Sequence, residues 1–186
     1  MTRIAVLATT VAAALATSLA VTPPASAQAA GPQSLSRHAD WEVAFLTEHG
    51  GRVCYAFTRA IRSEGAPSGR TAPVVTVTHR GGSRDQVALL AGFAFPAGTE
   101  VAVEIGDGKF QFYTGGNSAF ARDGKAVVAA FQKGREAVFR TPAGGGRGAV
   151  TDRASLRGFS AAYQALNQCA AGAGGGGQTP PRRPAR

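Results

Sequence analysis

The chain reads as a mainly β protein, an antiparallel β-sandwich with two short helices, on three observations. Short runs alternate apolar and polar residues at the period of a strand. Gly and Pro clusters separate these runs. Only two stretches switch to spacings of three and four, and helix and strand signals do not alternate as a parallel sheet would require.

Residues 1–27 carry the pattern of a cleaved export signal. Arg3 supplies the positive start, Ile4 to Val21 the apolar stretch, and Ala25-Ser26-Ala27 the small-residue cleavage site, so the mature chain is expected to begin at Gln28. A permanent membrane anchor fits less well, because the apolar stretch is rich in Ala and Thr and short for a bilayer. Residues 28–39 show no periodicity and read as a flexible lead. Residues 40–171 form one β domain, and residues 172–186, almost all Gly, Pro and Arg, cannot bury a core and read as a disordered tail.

Within the domain, Trp41–Leu46 is the first strand. Arg52–Ala60 follows, with Val53, Tyr55 and Phe57 on one face and Cys54 and Ala56 on the other. Ile61–Pro73 has no pattern and is assigned to a loop, and Val74–Arg80 returns to strand chemistry. The run from Val87 to Phe95 reads as a long strand in which Gly92 marks a bulge or a close backbone approach. Val101, Val103 and Ile105 alternate with polar neighbours, Gly106-Asp107-Gly108 turns the chain, and Phe110 and Phe112 return; these three runs are expected to form a meander. Asp123 caps a helix to Lys133 that Gly134 ends. Glu136–Arg140 is a strand and Thr141–Gly148 a Gly-rich turn. A final strand leads to a helix with Leu156, Phe159, Tyr163 and Leu166 on one stripe and Ser155 as its cap.

The two cysteines, Cys54 and Cys169, read as one disulfide, since an exported chain meets an oxidising compartment and there is no C-x-x-C. Such a bond would tie the closing helix to an early strand and stabilise the fold by ~4 to 5 kcal/mol through loop entropy. The formal charge is +9. Removing Arg3 and the tail residues Arg182, Arg183 and Arg186 leaves about +5 on the folded part, which suits contact with anionic surfaces or simply keeps an exported protein soluble. No nucleic-acid partner is expected.

Strong catalytic signatures are missing: there is no H-E-x-x-H, G-x-S-x-G or P-loop pattern. No metal or cofactor is expected. His79, at a strand end beside Arg80, is the best general-base candidate because an edge position would leave its ring accessible; a structural hydrogen bond is the commoner use. His38 and His49 have no better claim. Asp152 and Ser155 could be two members of a triad but lie where caps lie. Gly144-Gly145-Gly146-Arg147-Gly148 could present N–H groups to a phosphate and reads as a turn. Arg147, Arg153 and Arg157 are read as separate solvated charges, and Trp41, Phe110, Phe112 and Phe120 as core aromatics.

The segments Val53-Cys54-Tyr55-Ala56, T-V-T-H-R at 76–80, A-G-F-A-F-P at 91–96, F-Q-F-Y-T at 110–114 and R-G-A-V-T-D-R-A-S-L-R-G-F-S-A-A at 147–162 resemble, in order and spacing, the invasion-associated locus B family. These are exported bacterial proteins, common in alphaproteobacteria. The resemblance runs from Trp41 to Cys169. It implies an immunoglobulin-like sandwich, a Cys54–Cys169 disulfide, a periplasmic or envelope location, and a link to host-cell entry through the named member in a pathogen. The family often has Trp where this chain has Phe120, and Tyr where it has Ala154; both read as packing changes. The expected role is therefore non-enzymatic, exerted through the surface on an envelope component or a host-cell surface protein. The alternatives are a module for anionic envelope polymers such as lipopolysaccharide or phospholipid, with Arg182, Arg183 and Arg186 in the footprint, and a hydrolase using His79.

Overall fold

The computed structural model describes residues 31–142 and 149–173. The expected cleavage site at Ala27 and Gln28, the Gly144 to Gly148 turn with Arg147, and the arginines Arg182, Arg183 and Arg186 lie outside the described residues. The strands are β1 (Gln33–His38), β2 (Trp41–Glu48), β3 (Gly51–Glu64), β4 (Val74–Arg80), β5 (Ser83–Leu90), β6 (Glu100–Ile105), β7 (Gly108–Gly115), β8 (Ser118–Ala121), β9 (Glu136–Pro142) and β10 (Ala149–Ser155). Helix α1 spans Gly124–Lys133 and α2 Phe159–Ala173.

Every pairing is antiparallel, as alternating runs separated by tight turns require. The ladder does not divide into the two facing sheets of an immunoglobulin-like sandwich. It runs β3-β10-β9-β6-β7-β8-β5-β4 and returns to β3, closing an eight-stranded barrel to which β2 and then β1 are added along β3. Two elements make the closure. β3 pairs with β4 from Val53 to Arg59 and with β10 over Ala60 to Glu64, so one long strand serves both ends of the ring. The short β8 joins β7 to β5 through Tyr113↔Phe120 and Leu89↔Ala119.

β8 also corrects the expected meander: β6, β7 and β8 are consecutive neighbours, whereas β5 pairs with β4 and β8. β5 also stops at Leu90 rather than Phe95. Gly92 has φ +75°, and a Cβ there would lie 2.3 Å from the Thr71 carbonyl, so the close approach that its position suggested is real and ends the strand. The lead is not wholly irregular, since Gln33–His38 pairs with β2.

Inward residues follow the strand period. Cys54, Ala56, Val75, Val77, Leu89, Val101, Val103, Phe112 and Phe139 are buried in one cluster that also takes in Phe131 of α1 and Phe159, Ala162 and Leu166 of α2. Trp41, Phe131 and Phe159 meet edge to face or tilted, with Trp41 and Phe159 centroids 4.7 Å apart, and hold β2 and the two helices together. Asp123 caps α1 by accepting from the Ala126 N–H at 2.9 Å.

Ser155 does not cap α2. It is the last residue of β10, paired with Glu136, and its hydroxyl donates to Asp40 while accepting from the Arg157 N–H. The helix begins after Gly158, whose carbonyl accepts the Ala162 N–H. Gly158 has φ +90°, and a Cβ there would meet the His38 carbonyl at 2.0 Å, so only glycine lets the chain turn into α2 against β1.

Candidate functional site

Helix α2 runs along the first half of β3, from the β1–β2 turn at Asp40 to Arg52. A disulfide joins Cys54 to Cys169 with Cα atoms 6.1 Å apart. Cys54 pairs across β3 and β4 with His79, so the staple and the histidine are neighbours. His79 is thus on an inward position and is only 2 % exposed. The accessible imidazole expected at a strand end is not there.

Both ring nitrogens of His79 are used. Nδ1 accepts the Asp85 backbone N–H at 3.0 Å, which leaves the proton on Nε2, directed to Asn167 Oδ1 at 3.2 Å. Burial, and then the nearby Arg84 charge, hold its pKa below the usual value, against smaller opposing contributions from Asn167 and Asp85. Asp85 sits at φ +56° and accepts the Tyr163 hydroxyl at 2.7 Å. Burial, with that bond, pushes the Tyr163 phenol up to about 12. Arg84 donates to Asn167 as well. His79, Asp85, Tyr163 and Asn167 together bolt the β4–β5 hairpin to α2. An imidazole that is 2 % exposed and has both nitrogens committed to holding α2 is poorly placed to act as a base.

Asp152 is neither a triad member nor a cap. It points into the barrel from β10, and its carboxylate takes both Arg70 nitrogens, Nη1 at 3.0 Å and Nη2 at 2.7 Å, and the Ser63 hydroxyl at 2.7 Å. Side-chain exposure is 4 % for Arg70 and 1 % for Asp152. Arg70 also donates to the Ala91 carbonyl and lies 5.0 Å over the Phe93 ring. This buried pair fastens the β3–β4 connection to the end of β3 opposite the disulfide. Nothing local in the sequence marks it, since 82 residues separate the partners.

The other candidates are dispersed. Among the described residues the His38 ring bonds Ser36, His49 is exposed in the β2–β3 turn, Arg153 pairs with Glu136, and Arg157 grips Asp40 with two bonds. Arg157 and Ser155 keep the Asp40 carboxyl below its usual range. Among the aromatics Trp41 and Phe112 are core and Phe110 partly buried, but Phe120 is exposed, contrary to expectation. Ala154 is fully buried between β9 and β3.

Several surface depressions lie on the described residues, and two of them border the β4–β5 hairpin. One, of about 410 Å³, lies between the β2–β3 and β4–β5 turns and is lined by Glu48, His49, Arg52 and Arg80, with Ala170 of α2 and the buried His79 also bordering it. The other, of about 530 Å³, crosses the outer faces of β4, β5, β8 and β7. Among the described residues no group of three or more His, Cys, Asp or Glu side chains is placed to hold a metal, and no helix is long and apolar enough to cross a membrane.

The sequence model for the family described as "Invasion associated locus B (IalB) protein" matches residues 41–167. The chain belongs to the invasion-associated locus B family. A solved structure of this fold, described as invasion associated protein b from Bartonella henselae, superposes with a TM-score of 0.55 at 15% identity, covering 73% of this chain and 95% of that one. At that identity the likeness is one of fold. No curated protein matches the chain in sequence. The family match includes Cys54, His79 and Asn167 but stops just short of Cys169.

Proposed function

We propose that this member of the invasion-associated locus B family is exported to the periplasm or cell envelope and works there through its surface rather than by turnover. Entry into host cells is the process to which the family's name and that of the Bartonella protein attach it. The observation that carries the reading is how the buried chemistry is used: the disulfide suits an oxidising compartment, and His79, the best catalytic candidate, is consumed in fastening α2. What remains outward is a shallow surface with aromatic and guanidinium groups, the material of binding.

Co-sedimentation of the purified, disulfide-intact protein with outer-membrane vesicles tests this. The reading expects the protein to pellet with vesicles, with no consumption of envelope material. Absence from the pellet at every salt concentration, or a turnover that disappears in His79→Gln while the variant stays folded, would contradict it.

A further inference from the structure

Five large apolar side chains are exposed among the described residues, and three of them, Leu90 (40 %), Tyr113 (47 %) and Phe120 (36 %), line the same trough. Their clustering follows from register: Tyr113 is directly opposite Phe120 across β7 and β8, and Leu90 lies opposite Ser118 across β5 and β8. The two rings sit with centroids 5.5 Å apart and planes inclined by only 30°. The core pairs Phe112–Phe139 and Phe131–Phe159 cross at 82° and 88°. Along the trough the lining is rich in hydroxyl and amide groups, Thr76, Thr78 and Gln86, and at the ring end Arg122, paired with Glu100, lies 5.8 Å from the Tyr113 ring centroid. Asp85 alone of the lining residues carries a carboxylate, and it is engaged by Tyr163.

At one end Arg80 lines both this trough and the 410 Å³ cleft that holds Arg52 and His49. Arg80 reaches Glu48 at 3.2 Å, whereas Arg52 lies 4.3 Å over the Phe45 ring and has no carboxylate partner among the described residues. The surface thus offers an aromatic, hydroxyl-bearing track that ends in excess positive charge.

That combination selects among ligand classes. A peptide strand needs a long open sheet edge, but β4, β7 and β8 have strand neighbours on both sides and β5 is open on one side only before Ala88, where Gly124 of α1 packs against Asp85. Single-stranded nucleic acid needs cations along its whole path rather than at an end. A sugar ring has one apolar face to lie on an aromatic ring and hydroxyls for threonine and glutamine partners. Two guanidinium groups bordering one cleft from different strands suit the several oxygens of a phosphate better than a planar carboxylate, which one guanidinium already satisfies. We infer that this face binds a phosphorylated oligosaccharide, its sugars on Tyr113 and Phe120 and its phosphate between Arg80 and Arg52. The assignment rests on the surface-acting reading above and names its ligand.

The test is calorimetric titration of the intact protein with the phosphorylated core oligosaccharide released from lipopolysaccharide by deacylation. Parallel arms use the same oligosaccharide after phosphatase treatment, a uronate-bearing oligosaccharide, and inorganic phosphate alone. Binding is expected to weaken about tenfold or more in Tyr113→Ala/Phe120→Ala and in Arg80→Gln, all surface changes that leave the melting transition in place. Phosphatase treatment should remove the effect of Arg80→Gln and keep that of the aromatic pair. Equal affinity in the variants, or binding as tight for the uronate chain or for free phosphate, would overturn the assignment. Retained vesicle binding with no oligosaccharide binding would overturn it too, and would leave the proposed function standing.

Discussion

The Arg70–Asp152 pair allows the sharpest energetic prediction. Arg70→Met removes two charge-assisted hydrogen bonds from a carboxylate that is 1 % exposed and leaves it the Ser63 hydroxyl alone. Removing one partner of such a buried pair costs about 3–5 kcal/mol, because the surviving charge stays out of water uncompensated. Asp152→Leu strands the guanidinium with only the Ala91 carbonyl and the Phe93 ring, and a loss of similar size, about 3–5 kcal/mol, is expected. The double variant Arg70→Met/Asp152→Leu leaves neither charge behind and should lose far less than the two singles together, with a coupling of about 3 kcal/mol or more. Urea unfolding of the four proteins measures this, with midpoints converted at a common slope. Additive losses, or single losses under about 1 kcal/mol, would show that the pair is hydrated and does not fasten the β3–β4 connection.

Replacing both cysteines by alanine should cost about 5 kcal/mol, from loop entropy over the 115-residue separation, and should raise amide exchange in α2 before the barrel. Gly158→Ala places a Cβ against the His38 carbonyl in a left-handed turn and should destabilise by at least about 2 kcal/mol in the same urea assay. Because folding lowers the His79 pKa, the unfolded chain takes up a proton that the folded ring refuses: stability is full above about pH 6.5 and falls as pH drops toward the folded value. His79→Gln should flatten that slope in urea midpoints taken across pH. The raised Tyr163 pKa works in the other sense. Its contribution is complete below pH 10 and lost as pH rises through about 12, and Tyr163→Phe should remove the highest step of the tyrosinate absorbance titration.

How much of this was legible in the sequence depended on whether the signal was local. β4 was readable to its ends because its inward valines alternate with threonines, and α1 because Asp123 and Gly134 bracket an apolar stripe. The closure of the barrel was not. It depends on the last residues of β3, I-R-S-E, which are exposed and charged and so look like a loop, and on β8, whose four residues are too few to show a period. Inward and outward alternation is the same in a sandwich and a barrel, so periodicity could not choose between them. The buried Arg70–Asp152 pair left no trace because its residues are distant in sequence, and Asp152 sits in a T-D-R context that looks like a helix approach. Residue type alone places Phe120 in the core, but its neighbours in β8, Ala119 and Ala121, occupy the inward positions. The staple was legible from counting alone.

Export through a disulfide-forming compartment is the claim on which the functional account stands. The direct measurement is to fractionate producing cells under thiol-trapping conditions, then determine the mature N-terminus and map the cysteine peptides without reduction. The account predicts a chain that starts at Gln28, found in the periplasmic or envelope fraction, with the Cys54 and Cys169 peptides joined. A chain retained in the cytoplasm with its leader intact and both thiols alkylated would contradict it.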